Sequence, residues 1–210
     1  MVSLDIDGTL GEYHLHFWRF ACAWTGRDLP EPRWDDLSKV SFRKAIGMSD
    51  ATYRQCKLAY RQGGSKRSMP VISGAAELTQ ALRRAGAEVW ICTTRPYLRL
   101  DNIDPDTRHW ARRNHITYHH MIYGEDKYRD LAAQVDNRRI VALLDDLPEQ
   151  IDKALALGLD PILTHHPHNH WYVNKMRGID LPRVTSLHVA REVILNRIKD
   201  WKESTVHYDN

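Results

Sequence analysis

Cysteine is scarce: the three residues Cys22, Cys56 and Cys92 lie far apart and form no CxxC pair. This excludes a disulfide framework and a cysteine zinc site, and reduced thiols are expected. No apolar run approaches the roughly 18 to 20 residues of a membrane span, and no charged-then-apolar leader precedes Asp5. A cytoplasmic protein without a membrane partner is expected. There is no low-complexity tract, and no GxxxxGK[ST] segment, which excludes a fused P-loop kinase. A strong charge excess is also missing. The formal net charge of +3 favours anionic ligands without demanding nucleic acid. Phenylalanine is rare, with three against seven Trp and nine Tyr. That balance suits flat-ring ligands, and equally suits core tryptophans anchored at the surface.

What is present is an ordinary globular composition: 210 residues, 42% hydrophobic and 27% charged, enough for one domain with an inserted subdomain. After a short apolar strand at residues 2–6, the stretch 12–69 changes character. Aromatic and basic helical patterns at 13–24, 37–46 and 50–61 are joined by Pro- and Gly-bearing turns. This reads as a helical cap, with 63–68 as a flexible return hinge and the core comprising 1–11 and 70–210. From residue 70 helices and strands alternate. Helices are expected at 74–85, 109–114, 126–134, 148–157 and 186–201, and strands at 87–92, 118–122, 140–144 and 160–164. Such alternation predicts an α/β fold, a parallel sheet in a three-layer Rossmann-like sandwich, with sites beyond the carboxyl ends of the strands.

Polar residues of the right kind stand at those ends. Asp5 and Asp7 are two apart at the end of the first strand and project the same way, while Gly8 lets the chain turn off it. On its own Asp5-Ile6-Asp7-Gly8 could equally begin a calcium loop or an acidic turn. Thr93, Thr94 and Arg95 follow the strand 87–92, Lys127 opens a helix, and Asp145 and Asp146 follow the most apolar strand. Thr94 could take the role of Thr93, since adjacent positions are hard to rank. Lys127 has several basic neighbours, and Asp136 reads as a turn residue.

In this order the chain resembles the haloacid dehalogenase (HAD) superfamily of phosphohydrolases, over nearly its whole length and in all four signature motifs. The resemblance implies a phosphoric monoester hydrolase. Asp5 would be the nucleophile and Asp7 the general acid and base. Asp5, the main chain of Asp7, and Asp145 would hold Mg2+. Thr93 and Lys127 would bind the phosphoryl group, and Asp146 would orient water or Lys127.

Within the superfamily the chain looks most like the 5'(3')-deoxyribonucleotidases, on Asp5 to Tyr13, Ile91 to Thr94, Leu144 to Asp146 with Pro148, and Leu163-Thr164 before a His- and Asn-containing loop. That implies a (deoxy)nucleoside monophosphate as substrate, with Tyr13 and Phe42 against the base and Thr94 at the phosphate. Tyr13 could instead pack within the cap. Lys66 and Arg95 depart from that family and add positive charge at the site mouth. A second substrate phosphate, or a nucleic-acid end, becomes an alternative. Arg95 and Arg108-His109-Trp110 are similar to the phosphatase domain of polynucleotide kinase-phosphatases, but that domain has only a short connection where this chain has 11–69. His165, His166, His168 and His170 follow the spacing of no common structural metal site and read as a loop at the rim, with Lys175, Arg177 and Arg183 as a solvated basic face. A non-catalytic nucleotide-binding module would be marked by loss of Asp5, Asp7 or Asp145, and all three are present. The oligomeric state stays open, a homodimer among the options.

Overall fold

The apolar runs read from the sequence become strands of one parallel sheet. β1 (Val2–Leu4), β2 (Val89–Thr93), β3 (His120–Tyr123), β4 (Ala142–Asp145), β5 (Pro161–Thr164) and β6 (Arg183–Val184) lie in the order β3-β2-β1-β4-β5-β6. The computed structural model describes residues 1–33, 40–175 and 181–206. β1 is central: Val2, Ser3 and Leu4 pair with Val89, Trp90 and Ile91 on one side and with Ala142, Leu143 and Leu144 on the other. The chain therefore leaves β1 toward one edge and returns to its other side at β4. This is the reversal of strand order at which α/β sheets open a crevice beyond their carboxyl ends.

The period of two along the strands sorts side chains into two layers. Val2, Leu4, Val89, Ile91, Ala142 and Leu144 pack with α4 (Ala75–Arg84), α5 (Ile103–Arg113) and α9 (Leu187–Val206) through Leu78, Leu82, Trp110, Leu187, Ala190 and Ile194. Trp90, Cys92 and Leu143 point the other way, onto Tyr128 and Leu131 of α6 (Lys127–Ala132) and Ala154 of α7 (Pro148–Ala156). Each buried Leu or Ile in these layers contributes roughly 1.5–3 kcal/mol. The short α8 (His170–Lys175) follows β5.

Between β1 and β2 lie α1 (Tyr13–Thr25), α2 (Phe42–Ala45) and α3 (Asp50–Gln62). Phe17, Ala21, Leu29, Ile46, Met48, Cys56 and Tyr60 form a separate small core there, and Tyr13 packs against both this cluster and the main one. The buried Trp110 donates its indole N–H to the Met69 carbonyl at 2.7 Å, fixing where the chain rejoins the sheet.

Several expectations are corrected. Residues 65–68 form a 3-10 turn with Lys66 buried, not an open hinge, because the lysine finds a carboxylate inside. The stretch 109–114 does lie in a helix, α5, which begins at Ile103 with Pro105 in its first turn, where the missing N–H costs nothing, and is capped by Asn114. β6 went unread because two residues carry no periodicity. Asp136 does belong to a turn, its carboxylate accepting from the Arg138 amide at 2.9 Å. Of the expected helix 37–46, residues 37–39 lie outside the described residues, as does Arg177, and only Phe42–Ala45 is helical among the rest. Among the described residues no helix is long and apolar enough to cross a membrane.

Candidate active site

In β1 and β4 the alternation that sends Leu4 and Leu144 into one layer sends Asp5 and Asp145 toward the other, where α6 begins. Lys127, the first residue of α6, reaches up between them: its Nζ lies 2.6 Å from Asp5 Oδ1 and 2.6 Å from Asp145 Oδ2. All three are buried. Tyr128 donates its hydroxyl to Asp145 Oδ2 at 2.6 Å, and the Leu147 amide donates to Asp145 Oδ1 at 2.9 Å. Burial raises the Asp5 carboxyl well above its ordinary range, reinforced by Asp145 and Asp146 and opposed by Lys127. Burial would lower Lys127, but Asp145 and Asp5 overcome it and keep the ammonium charged.

Asp7 stands apart from this group, in a second cluster. Arg95, just past β2, donates from Nη2 to Asp7 Oδ1 at 2.6 Å and from Nη1 to Thr107 Oγ1 at 2.9 Å. Lys66 makes a close ion pair with Asp7 Oδ2 and sits 4.2 Å from the centre of the Tyr13 ring. Burial would raise the Asp7 carboxyl, yet Arg95 and Lys66 outweigh it and hold it well below the usual range. For Lys66, burial and Arg95 outweigh Asp7 and bring the ammonium down to about 7. Within this cluster Arg95 is thus the lasting cation, and Lys66 is the group able to lose a proton near neutrality. An Asp7 that carries a proton near neutral pH, as the sequence led us to expect, is not the state described here: two cations expected at the mouth have turned onto it.

Asp146 is fully buried, and neither carboxylate oxygen accepts a hydrogen bond among the described residues. His168 Nε2 lies 3.1 Å from its Oδ2, an ion pair without hydrogen-bond alignment. Gly8 is required beside it. Its φ is +95°, and a Cβ there would lie 2.2 Å from Asp146 Oδ2.

A cavity of about 310 Å³ opens over Asp5 and Asp7, lined also by Lys57, Arg61, Lys66 and Arg95, by Phe42, Tyr53, His14 and Tyr13, and by Thr94. It lies at the lower end of the roughly 300–1,000 Å³ of small-molecule sites. Phe42 and Thr94 are therefore at the site. The Tyr13 ring also lines it but already meets Phe17, stacked at 5.8 Å, as well as Lys66. Thr93 is buried, and its hydroxyl has no hydrogen-bond partner among the described residues. Tyr53, Lys57, Arg61, His14 and Tyr128 escaped the sequence reading. The first four lie on the amphipathic helices α1 and α3, where spacing alone does not reveal which face looks onto the sheet. Tyr128 could have been found from its place beside Lys127.

Asp5, Asp145 and Asp146 place one oxygen each within 4.8 Å of one another. Lys127 and Tyr128 use the lone pairs of Asp145 Oδ2, while its Oδ1 keeps one lone pair beside the Leu147 amide, and the second oxygen of Asp5 and the Asp146 carboxylate remain available. Hard oxygens in this number fit Mg2+.

No protein-family model matches the chain, and no curated protein matches it in sequence. Solved structures do match in fold. A predicted phosphoglycolate phosphatase from Haemophilus somnus superposes with a TM-score of 0.64 at 13% identity, over 92% of this chain and 96% of the other. A HAD hydrolase of family IA, variant 3, from Entamoeba histolytica gives 0.61 at 18% identity, covering 94% and 98%. A mutant CbbY from Rhodobacter sphaeroides, solved with xylulose-(1,5)bisphosphate, gives 0.57 at 18% identity, covering 89% and 93%. The fold is that of HAD-type hydrolases.

Proposed function

We propose that the chain is a Mg2+-dependent phosphomonoesterase acting through an aspartyl-phosphate on Asp5, with a (deoxy)nucleoside monophosphate as substrate. The observation that carries this reading is that Asp5 lines a cavity in which the cations Lys57, Arg61, Lys66 and Arg95 are interleaved with the rings of Tyr13, Phe42 and Tyr53. A buried carboxylate between Lys127 and two further acids supports an attacking oxygen. Phe42, Tyr53 and His14 offer rings for a base. Asp5, Asp145 and Asp146, with the main chain of Asp7, would hold the Mg2+, which when bound offsets the negative charge of the phosphoryl oxygens.

In the first half-reaction an Asp5 carboxylate oxygen bonds to phosphorus and the phosphorus–ester oxygen bond breaks. The leaving oxygen takes a proton from Asp7. Water then attacks phosphorus, gives its proton to Asp7, and the Asp5–phosphorus bond breaks to release inorganic phosphate. Asp7 must first acquire its proton. We assign that to substrate entry: Arg95 and Lys66 turn from Asp7 to the incoming phosphate, and the carboxyl, relieved of both cations, rises into the range where it holds one. Thr93 and Thr94 would donate to phosphoryl oxygens, Thr93 through a hydroxyl that has no other partner.

A second reading, a substrate with two phosphates, is favoured by the four cations Lys57, Arg61, Lys66 and Arg95 around one cavity. One fold neighbour was solved with a sugar bisphosphate. Phosphate release with Mg2+ should be compared for 5'- and 3'-deoxynucleoside monophosphates, a sugar bisphosphate, a 3'-phosphorylated oligonucleotide and p-nitrophenyl phosphate, with Asp5→Asn as control. The highest kcat/KM on a mononucleotide is expected. Preference for the bisphosphate or the oligonucleotide overturns the substrate assignment, and turnover surviving Asp5→Asn overturns the mechanism.

A further inference from the structure

We propose a second cation site, for a divalent first-row transition metal such as Zn2+, made by His14, Asp146 and His168. Two of these residues belong to strand-end loops of the sheet and one to α1, and one ligand atom from each lies within 4.8 Å of the other two. The rings of His14 and His168 are 4.8 Å apart, and His168 Nε2 is 3.1 Å from Asp146 Oδ2. The second observation is Asp146 itself: a fully buried carboxylate whose oxygens accept no hydrogen bond among the described residues, and which belongs both to the group with the two imidazoles and to the group with Asp5 and Asp145. Such a group is costly unless something positive meets it.

A proton on His168 would account for one partner. It leaves His14 unexplained: among the described residues this imidazole makes ring contacts with Tyr13, Phe42 and His168 but no hydrogen bond. A metal accounts for all three. Two imidazoles and one carboxylate suit Zn2+, Co2+ or Ni2+ rather than Mg2+, whereas the all-oxygen set beside it suits Mg2+. Three protein ligands also leave an open coordination position. His166, the other histidine close by, has its Nε2 2.5 Å from the Gly8 carbonyl; His168 Nε2 lies 3.3 Å from the Asp146 carbonyl, a contact that the metal would replace. An entry path exists: a cavity of about 140 Å³ is lined by His14, His168, Gly8, Glu12 and Glu31. A cation held there ties α1 to the sheet and shares Asp146 with the Mg2+ group, so each site senses the other.

The test is binding, read without turnover. The full chain, stripped by chelator and kept in saturating Mg2+, is titrated with Zn2+ and with Co2+, following Co2+ visible absorption and metal content after dialysis. One equivalent of Zn2+ is expected to remain. His14→Gln and His168→Gln should each weaken Zn2+ binding by more than about tenfold, the lower end of what even outer-shell losses cost. Two hyperfine-shifted imidazole N–H resonances in Co2+-loaded wild type report the same ligands if a variant does not fold. Absence of retained metal, a Co2+ protein without histidine resonances, or binding lost only in Asp145→Asn and so seated among the oxygens, each overturns the proposal. Failure of the phosphatase reading would leave these results unchanged.

Discussion

Arg95 grips Asp7 with two nitrogens, Nη2 at 2.6 Å from Oδ1 and Nε at 3.3 Å from both oxygens, across 88 residues of sequence. The paired carboxyl titrates below its unfolded value of about 3.9. Its contribution to stability is therefore present above that value and lost as pH falls through the folded one. Arg95→Gln should lose about 1–3 kcal/mol at pH 7, as expected where a charged hydrogen bond is removed. Its acid-unfolding midpoint should move to higher pH. Urea melts at pH 7 and an acid titration by circular dichroism check both, and an unchanged acid midpoint would show that the pair does not stabilise the fold.

Lys127 neutralises two buried carboxylates at once. Lys127→Met strands Asp5 and Asp145, and destabilisation of about 3–5 kcal/mol in chelator is expected. Because a divalent cation can meet those same oxygens, added Mg2+ should raise Tm more in Lys127→Met than in wild type. Equal Mg2+ shifts in the two proteins would speak against a shared site.

Gly8 has no tolerance for a side chain. Gly8→Ala meets both a positive φ and the Asp146 carboxylate. A cost on the order of 1–3 kcal/mol and a fall in kcat are expected, seen by thermal unfolding and phosphate release. A wild-type Tm would mean that the loop relaxes without strain.

The thiols differ in surroundings. Burial pushes Cys56 up to about 11 and Cys92 up to about 12, while Cys22 is partly exposed. Iodoacetamide at pH 8 should modify Cys22 alone in the native protein and all three cysteines in urea, as read by mass spectrometry. Rapid native labelling of Cys92 would contradict its place between sheet and helix.

Much of this arrangement was legible because it is local. Asp5, Asp145 and Lys127 each follow from one strand end or helix start, and the period of two in β1 and β4 fixes the side to which the acids point. The fold class followed from alternation of the same kind. What stayed hidden depends on distant segments meeting. Lys66 looked like part of a charged hinge, and only the folded chain shows it buried against Asp7. His14 is a single residue on α1 with no motif around it, and its neighbour His168 sits in a run of histidines whose spacing matches no common structural metal site. Spacing within that run was the wrong quantity, since its partner comes from the other end of the molecule.

The separate small core of α1, α2 and α3 bears on how the protein loses function. Asp5 and Asp145 hang from strands bonded on both sides, whereas His14 and Tyr53 ride on helices supported chiefly by Phe17, Ile46, Met48, Cys56 and Tyr60. Regions of unequal packing open at different free energies. Amide exchange should therefore be slowest at the centre of the sheet and faster in the helices over the cavity. Low denaturant would then silence the protein while its sheet still stands, leaving a folded scaffold with an open, solvent-filled crevice.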